Sequence, residues 1–254
     1  MSVHTFETMG TVVSIRVPDA DAPDEAARAS LAQCIERARM AFDDLDEKFS
    51  LYREASEASR IARGEITLAQ SSSDMRDAYA KALEWRTATN YTFTPHRPDD
   101  VIDLSGTIKA EGILRAAASL TEGGFDTFLI NAGGDMLSAG RPADGWRVGV
   151  GDPDEPENLI AVVELTRDYA AMATSGTAER GEHIWRRPDT DTSFRQVSVL
   201  AADIMTADVL ATTIIAGGQV SLDHSTSVFD IGVLVVKNDG SLLANDKFRT
   251  LIRV

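Results

Sequence analysis

The chain has 254 residues, 43% hydrophobic and 26% charged, with a net charge of −15 and one cysteine, Cys34. That length supplies one large domain, residues 1–254, or two closely joined lobes with a substantial core. The acidic balance excludes a general nucleic-acid binder, because phosphate would be repelled over most approaches. One thiol excludes an internal disulfide framework, and Cys34 lies in an apolar helical pattern that reads as a buried structural position.

No apolar run approaches the ~20 residues that span a bilayer. Residues 1–11 carry no basic n-region, apolar h-region or lipobox-like cysteine. The chain is therefore expected to be cytoplasmic, with no membrane span.

Residues 3–17 alternate and predict a strand or hairpin with Met9-Gly10-Thr11 inside it. A turn over Pro18–Pro23 precedes a helix from Asp24 to about Lys48, whose apolar line runs Ala27, Leu31, Cys34, Ile35, Ala38, Phe42, Leu45. Phe49–Ile61 reads as a loop entering a short helix, and Ser72–Thr89 as a second long helix with serine caps. After a loop over Asn90–Asp100, Val101–Leu104 reads as a short strand, then a glycine-containing loop from Ser105 and a helix through Leu120. Phe125–Ile130 is a buried-type strand. Met136–Ala139, Trp146–Val150, Ile160–Leu165 and Tyr169–Thr174 suggest an antiparallel meander. Gln196–Ala201 is a further strand, Met205–Gly218 a buried helix, and Asp230–Val236, Leu242–Ala244 and Arg249–Val254 close the chain as strands. Strands and helices without a strict βαβ rhythm predict an α+β fold.

Chemistry concentrates in a few places. On the Met205–Gly218 helix, Asp208 and Thr212 stand i,i+4, so both oxygens leave one side about a turn apart. A carboxylate and a hydroxyl so placed suit a hard cation such as Mg²⁺, which is commonly held together with substrate phosphates. An ordinary helix also accounts for the pair, with the carboxylate favoured in the first turn and the threonine bonded to a backbone carbonyl.

Four loops combine glycine with small polar residues: Met9-Gly10-Thr11, Ser105-Gly106-Thr107, Asn131–Asp135 and Thr174–Thr177. Such loops let the backbone approach phosphate oxygens, though each is also an ordinary turn. Neither a Walker loop nor a G-x-G-x-x-G is present, and the four histidines form no zinc motif. His183 lies in a polar segment after T-S-G-T and could serve as a general base.

In order along the chain stand M-G-T, F-S-L-Y with S-E-A-S-R-I, D-L-S-G-T-I-K, L-I-N-A-G-G-D, G-W-R-V-G-V-G-D-P, A-T-S-G-T, H-I and T-A-D-V-L-A-T. This series resembles the FAD:protein FMN transferase family, the ApbE-like flavin transferases, over Met9 to about Gly218. The resemblance implies a T-fold-like α+β architecture of mixed and antiparallel sheets with packed helices. It implies FAD as substrate, bound with Mg²⁺, and transfer of FMN to a threonine or serine hydroxyl of an acceptor protein with release of AMP. Some members hydrolyse FAD to FMN and AMP instead.

Carried to this chain, the resemblance makes Asp208 and Thr212 metal ligands, joined by the carbonyls of Ala211 and Ile108. Met9, Tyr52, Thr92, Phe93, Thr94, Ser105, Glu111 and Trp185 fall at its cofactor-contacting positions, and His183 at that of the base. Glu111 stands where the family pattern has tyrosine, Leu114 and Thr94 where it has aspartate. The insertion usual between F-T-P and D-L-S-G is missing, and the segment after His183 has lost its turn glycine. A FAD pyrophosphatase and a non-catalytic FAD-binding protein are the alternative readings.

Overall fold

The first two strands meet in a two-residue turn that sets the geometry of the N-terminal half. In the computed structural model, which describes residues 1–155, 157–176 and 193–253, β1 (Ser2–Thr8) and β2 (Thr11–Val17) pair antiparallel, with Thr8 opposite Thr11. Met9 and Gly10 hold φ of 49° and 68°. Both lie in the left-handed region that a tight hairpin of the strands' own twist requires. Glycine adopts it without cost; methionine rarely does.

The chain divides into two compact units, Met1–Gly133 and Gly134–Val254. In the first, β2 also pairs antiparallel with β3 (Phe128–Ala132), placing Ile15 opposite Ile130. Helix α1 (Glu25–Phe49) starts at Asp24, whose carboxylate caps the Ala27 N–H, and buries Leu31, Cys34, Ala38, Phe42 and Leu45 along one stripe. It packs on α4 (Ser105–Glu122). A Cβ on Gly112 would fall 2.4 Å from the Phe42 ring, so only glycine permits this approach. Each large side chain buried here contributes about 1.5–3 kcal/mol.

Helices α2 (Glu57–Ala62) and α3 (Ser73–Ala88) begin at Ser56 and Ser72, whose hydroxyls accept the Ser59 and Met75 N–H groups. No strand forms over Val101–Leu104. Only a single bridge joins Ile102 to His96. Asp103 accepts the Ser105 N–H at 2.9 Å, an Asx turn that leads the chain straight into α4, so the expected loop at Ser105-Gly106-Thr107 is the helix's first turn.

In the second unit, β4 (Asp135–Ala139), β7 (Ala171–Gly176), β8 (Phe194–Ala201), β9 (Gly232–Lys237) and β10 (Leu242–Ala244) pair antiparallel in that order. The expected meander breaks at one point: β5 (Trp146–Gly151) and β6 (Leu159–Leu165) leave as a separate hairpin, and β4 pairs with β7 instead. Glu164 on β6 accepts Arg141 at 2.6 Å and Arg253 at 2.7 Å, tying that hairpin to the chain's end.

The end itself differs from expectation. Arg249–Arg253, the described part of the expected last strand, does not form one. Asn245 accepts the Phe248 N–H at 3.0 Å and starts α6 (Asp246–Leu251), after which Ile252 makes one bridge to Val163. An Asn followed by Asp in the first turn is a helix start that the apolar pattern hid.

Helix α5 (Ile204–Val228) is capped by Asp203, which accepts the Thr206 N–H, and packs across β7 and β8. It continues ten residues beyond Gly218, with a kink there at φ 60°, ψ −146°. Against expectation, it is long and apolar enough by length and composition to cross a membrane. Most of that apolar stretch is buried inside the protein, as befits a core helix.

Candidate functional site

Alternation along β7 decides what faces α5. Ser175 points to the helix, and its hydroxyl lies 3.1 Å from that of Thr212. Thr174 points to the opposite face and shares a 2.8 Å hydrogen bond with Ser198, its direct cross-strand partner. The Thr174 N–H donates to Asp135 at 3.2 Å, and that carboxylate is 1% exposed. The β7 backbone is thus held from β4 and β8 where it presents Ser175.

Asp208 lies one turn before Thr212 on α5 and is 5% exposed; Ala211 is fully buried between them. Because α5 begins at Ile204 behind the Asp203 cap, Asp208 stands in the second turn and not in the first turn expected from sequence, so the helix dipole does not account for it. Thr212 does not back-bond its own helix in the way Thr213 does, whose hydroxyl donates to the Val209 carbonyl at 2.7 Å. Its hydroxyl is turned to Ser175 instead. The donors here are one carboxylate and two hydroxyls, all oxygen, which matches the preference of Mg²⁺. Among the described residues no group of three or more His, Cys, Asp or Glu could hold a metal. A cation on this donor set would keep most of its charge for an anionic ligand.

In the first unit, Met9 occupies the strained hairpin turn. Tyr52 is 84% exposed, on a turn where the Ser50 hydroxyl accepts the Tyr52 N–H. The Thr92–Thr94 segment leaves α3 through Thr89, whose carbonyl and hydroxyl accept the Thr92 and Phe93 N–H groups. Phe93 is 7% exposed, and a Cβ on Gly106 would lie 2.9 Å from its ring. Its side chain therefore fastens this segment to the start of α4, with the polar side chains of Thr92 and Thr94 on either side of it in the chain. Ser105 is exposed at the helix start; Ile108 is buried one turn in. Glu111 accepts Arg115 at 3.0 Å and faces Lys81 at 4.0 Å, so its charge is balanced locally. His183 and Trp185 lie outside the described residues.

A separate cavity of about 440 Å³ in this unit is lined by Lys48, Arg60 and Arg115 together with Asp44, Glu47, Glu57 and Asp74. Lys48 pairs with Asp74, Arg60 with Glu65 and Arg115 with Glu111, and Glu57 accepts from Ser72, so each of its cations already has a carboxylate partner.

The sequence patterns missed Asp135, Ser175 and Ser198 as site-shaping residues. The N-A-G-G-D and T-S-G-T runs marked two of them as loop residues; nothing local marked Ser198.

An α+β protein with an all-oxygen donor set beside a polar strand end is the class that this geometry defines. Comparison with known proteins bears on the fold and the family. The model of the ApbE family matches residues 9–97 and 96–224, and the chain belongs to that family. It is 28% identical over 151 residues to the FAD:protein FMN transferase of Vibrio cholerae serotype O1, a match covering 54% of this chain and 45% of that protein. The chain thus aligns with under half the length of that relative. The ApbE protein of Thermotoga maritima shares the fold with a TM-score of 0.78 at 19% identity, over 100% of this chain and 99% of that one. The flavin transferase ApbE of Vibrio cholerae superposes with 0.75 at 21% identity, over 98% of each chain. The apo flavinyl transferase ApbE of Pseudomonas stutzeri gives 0.76 at 17%, over 98% and 96%.

Proposed function

We propose that this chain is a Mg²⁺-dependent transferase that moves FMN from FAD to a threonine or serine hydroxyl of an acceptor protein, releasing AMP. The observation that carries this reading is the buried Asp208 with Thr212 and Ser175 on a chain of the ApbE family. The name of the Vibrio cholerae relative supports the reaction.

Asp208, Thr212 and the Ala211 carbonyl would hold the ion, which when bound neutralises pyrophosphate oxygens and favours in-line displacement. The acceptor hydroxyl oxygen forms a bond to the FMN phosphorus as the bridging P–O bond breaks. The electron pair of that bond leaves with AMP, and the hydroxyl proton needs a base because a neutral threonine is a weak nucleophile. His183 is the residue proposed for that proton. Tyr52 supplies an exposed aromatic face suited to the isoalloxazine ring. Ser175 orients the Thr212 hydroxyl from the strand side.

Incubation with FAD, Mg²⁺ and a candidate acceptor domain tests the reading. Covalent flavin fluorescence in a denaturing gel, with AMP in the supernatant, is the expected result. FMN and AMP without labelled protein would assign hydrolysis of the same bond. Intact FAD with and without Mg²⁺ would assign binding alone.

A further inference from the structure

The segment between α3 and α4 holds three non-glycine residues in the left-handed region: Asn90 at φ 51°, Tyr91 at 63° and Asp100 at 63°. Each such residue costs roughly 1–2 kcal/mol and persists where its surroundings over-determine it. At the first end the Tyr91 N–H donates to the Arg86 carbonyl at 2.7 Å, and the Arg86 guanidinium lies 5.1 Å over the Tyr91 ring. At the other end the Arg97 N–H donates to Val101 and the Asp103 N–H to Pro95, both at 2.9 Å.

The middle is held by side chains. The Tyr79 hydroxyl on α3 is 3.1 Å from His96 Nε2, and the two rings meet edge to face at 5.6 Å and 87°. The His96 N–H in turn donates to the Thr94 hydroxyl at 3.3 Å. A chain of contacts therefore runs from α3 through Tyr79 and His96 to Thr94, and Phe93 beside it rests on Gly106.

We propose that Tyr79 and His96 are a positioning pair that fixes the Thr92–Pro95 segment for contact with the dinucleotide substrate. The inference rests on the function proposed above. The segment here is short, with ten residues between Thr94 and Ser105, and has no inserted element to brace it. The Tyr79–His96 contact supplies the brace from α3. Tyr79 and His96 need not touch the substrate; they set where the Thr94 hydroxyl and the backbone around it stand.

Steady-state kinetics on the full chain with FAD, Mg²⁺ and an acceptor, alongside thermal melts, tests the pair. Tyr79→Phe and His96→Ala should each raise KM for FAD about fivefold, the worth of one hydrogen bond, while kcat stays within about twofold. His96→Gln, which keeps a polar atom near Nε2, should restore most of the loss. A KM unchanged in both variants overturns the proposal. So does a parallel fall in kcat and melting temperature without rescue by glutamine, which marks a role in folding alone. A wild-type chain that neither turns over nor binds FAD overturns the functional reading, and this inference with it.

Discussion

Ser175 on β7 and Thr212 on α5 are 37 residues apart in sequence, and their hydroxyl oxygens are 3.1 Å apart in the fold. The contact fixes one donor of the candidate cation site from outside its own helix. It also gives each hydroxyl a partner in place of water, at a polar strand end next to the buried Asp208.

Removing that link should weaken cation binding without unfolding the chain. Ser175→Ala and Thr212→Val are each expected to raise the Mg²⁺ concentration for half-maximal activity, about tenfold for the serine and more for the threonine. A magnesium titration of turnover measures both. Equal values for wild type and Thr212→Val would remove Thr212 from the site.

Asp208→Ala takes the single carboxylate out of the donor set. Turnover should fall on the order of a hundredfold or more. The rise in melting temperature that Mg²⁺ gives the wild type through binding the native state should disappear. Because Asp208 is buried, Asp208→Asn is the companion that keeps its shape; it should also lose the Mg²⁺ response while melting near the wild type.

Gly112→Ala tests the helix pair of the first unit. The new methyl group would meet the Phe42 ring 2.4 Å away, forcing α1 and α4 apart. Overpacking of this kind costs about 1–3 kcal/mol, against about 1 kcal/mol that alanine returns as a better helix former. A net loss in urea denaturation is expected; a gain would show that Phe42 can turn away freely.

Tyr169 offers a pH test. Burial first, then its 2.8 Å hydrogen bond to Asp230 and that carboxylate's charge, push its phenol up from 10.0 to about 12. The protonated form is the one the fold favours. Its contribution is full below the unfolded value and is lost as pH climbs from about 10 through 12. The group is partly exposed, so solvent screening holds the effect to about 1 kcal/mol. Tyr169→Phe should flatten the alkaline fall of stability over that window, read from denaturation midpoints at stepped pH.

Much of the fold was legible because it is locally encoded. The apolar spacing of Leu31, Cys34, Ala38, Phe42 and Leu45 marks α1, and Asp24 and Ser72 mark two helix starts within a residue. Alternation over residues 3–17 marks the first hairpin. Periodicity alone misread Val101–Leu104 and Arg249–Val254, where the side chains of Asp103 and Asn245 turn the chain into helices. An Asx side chain competes with the strand for the same backbone N–H groups, and a hydrophobicity pattern does not register that competition.

By itself, then, the sequence determined the helices and hairpin whose periods are written in neighbouring residues, the i,i+4 placement of Asp208 and Thr212, and the ordered motifs of the family. Tertiary structure alone decided that Ser175 would meet Thr212, that Asp135 would hold the Thr174 N–H, that β5 and β6 would leave the meander, and that His96 would lock to Tyr79. The division has a physical cause. Period and capping act within a few residues of one chain segment. A hydrogen bond between distant side chains exists only after strand register and helix packing have brought both to the same face.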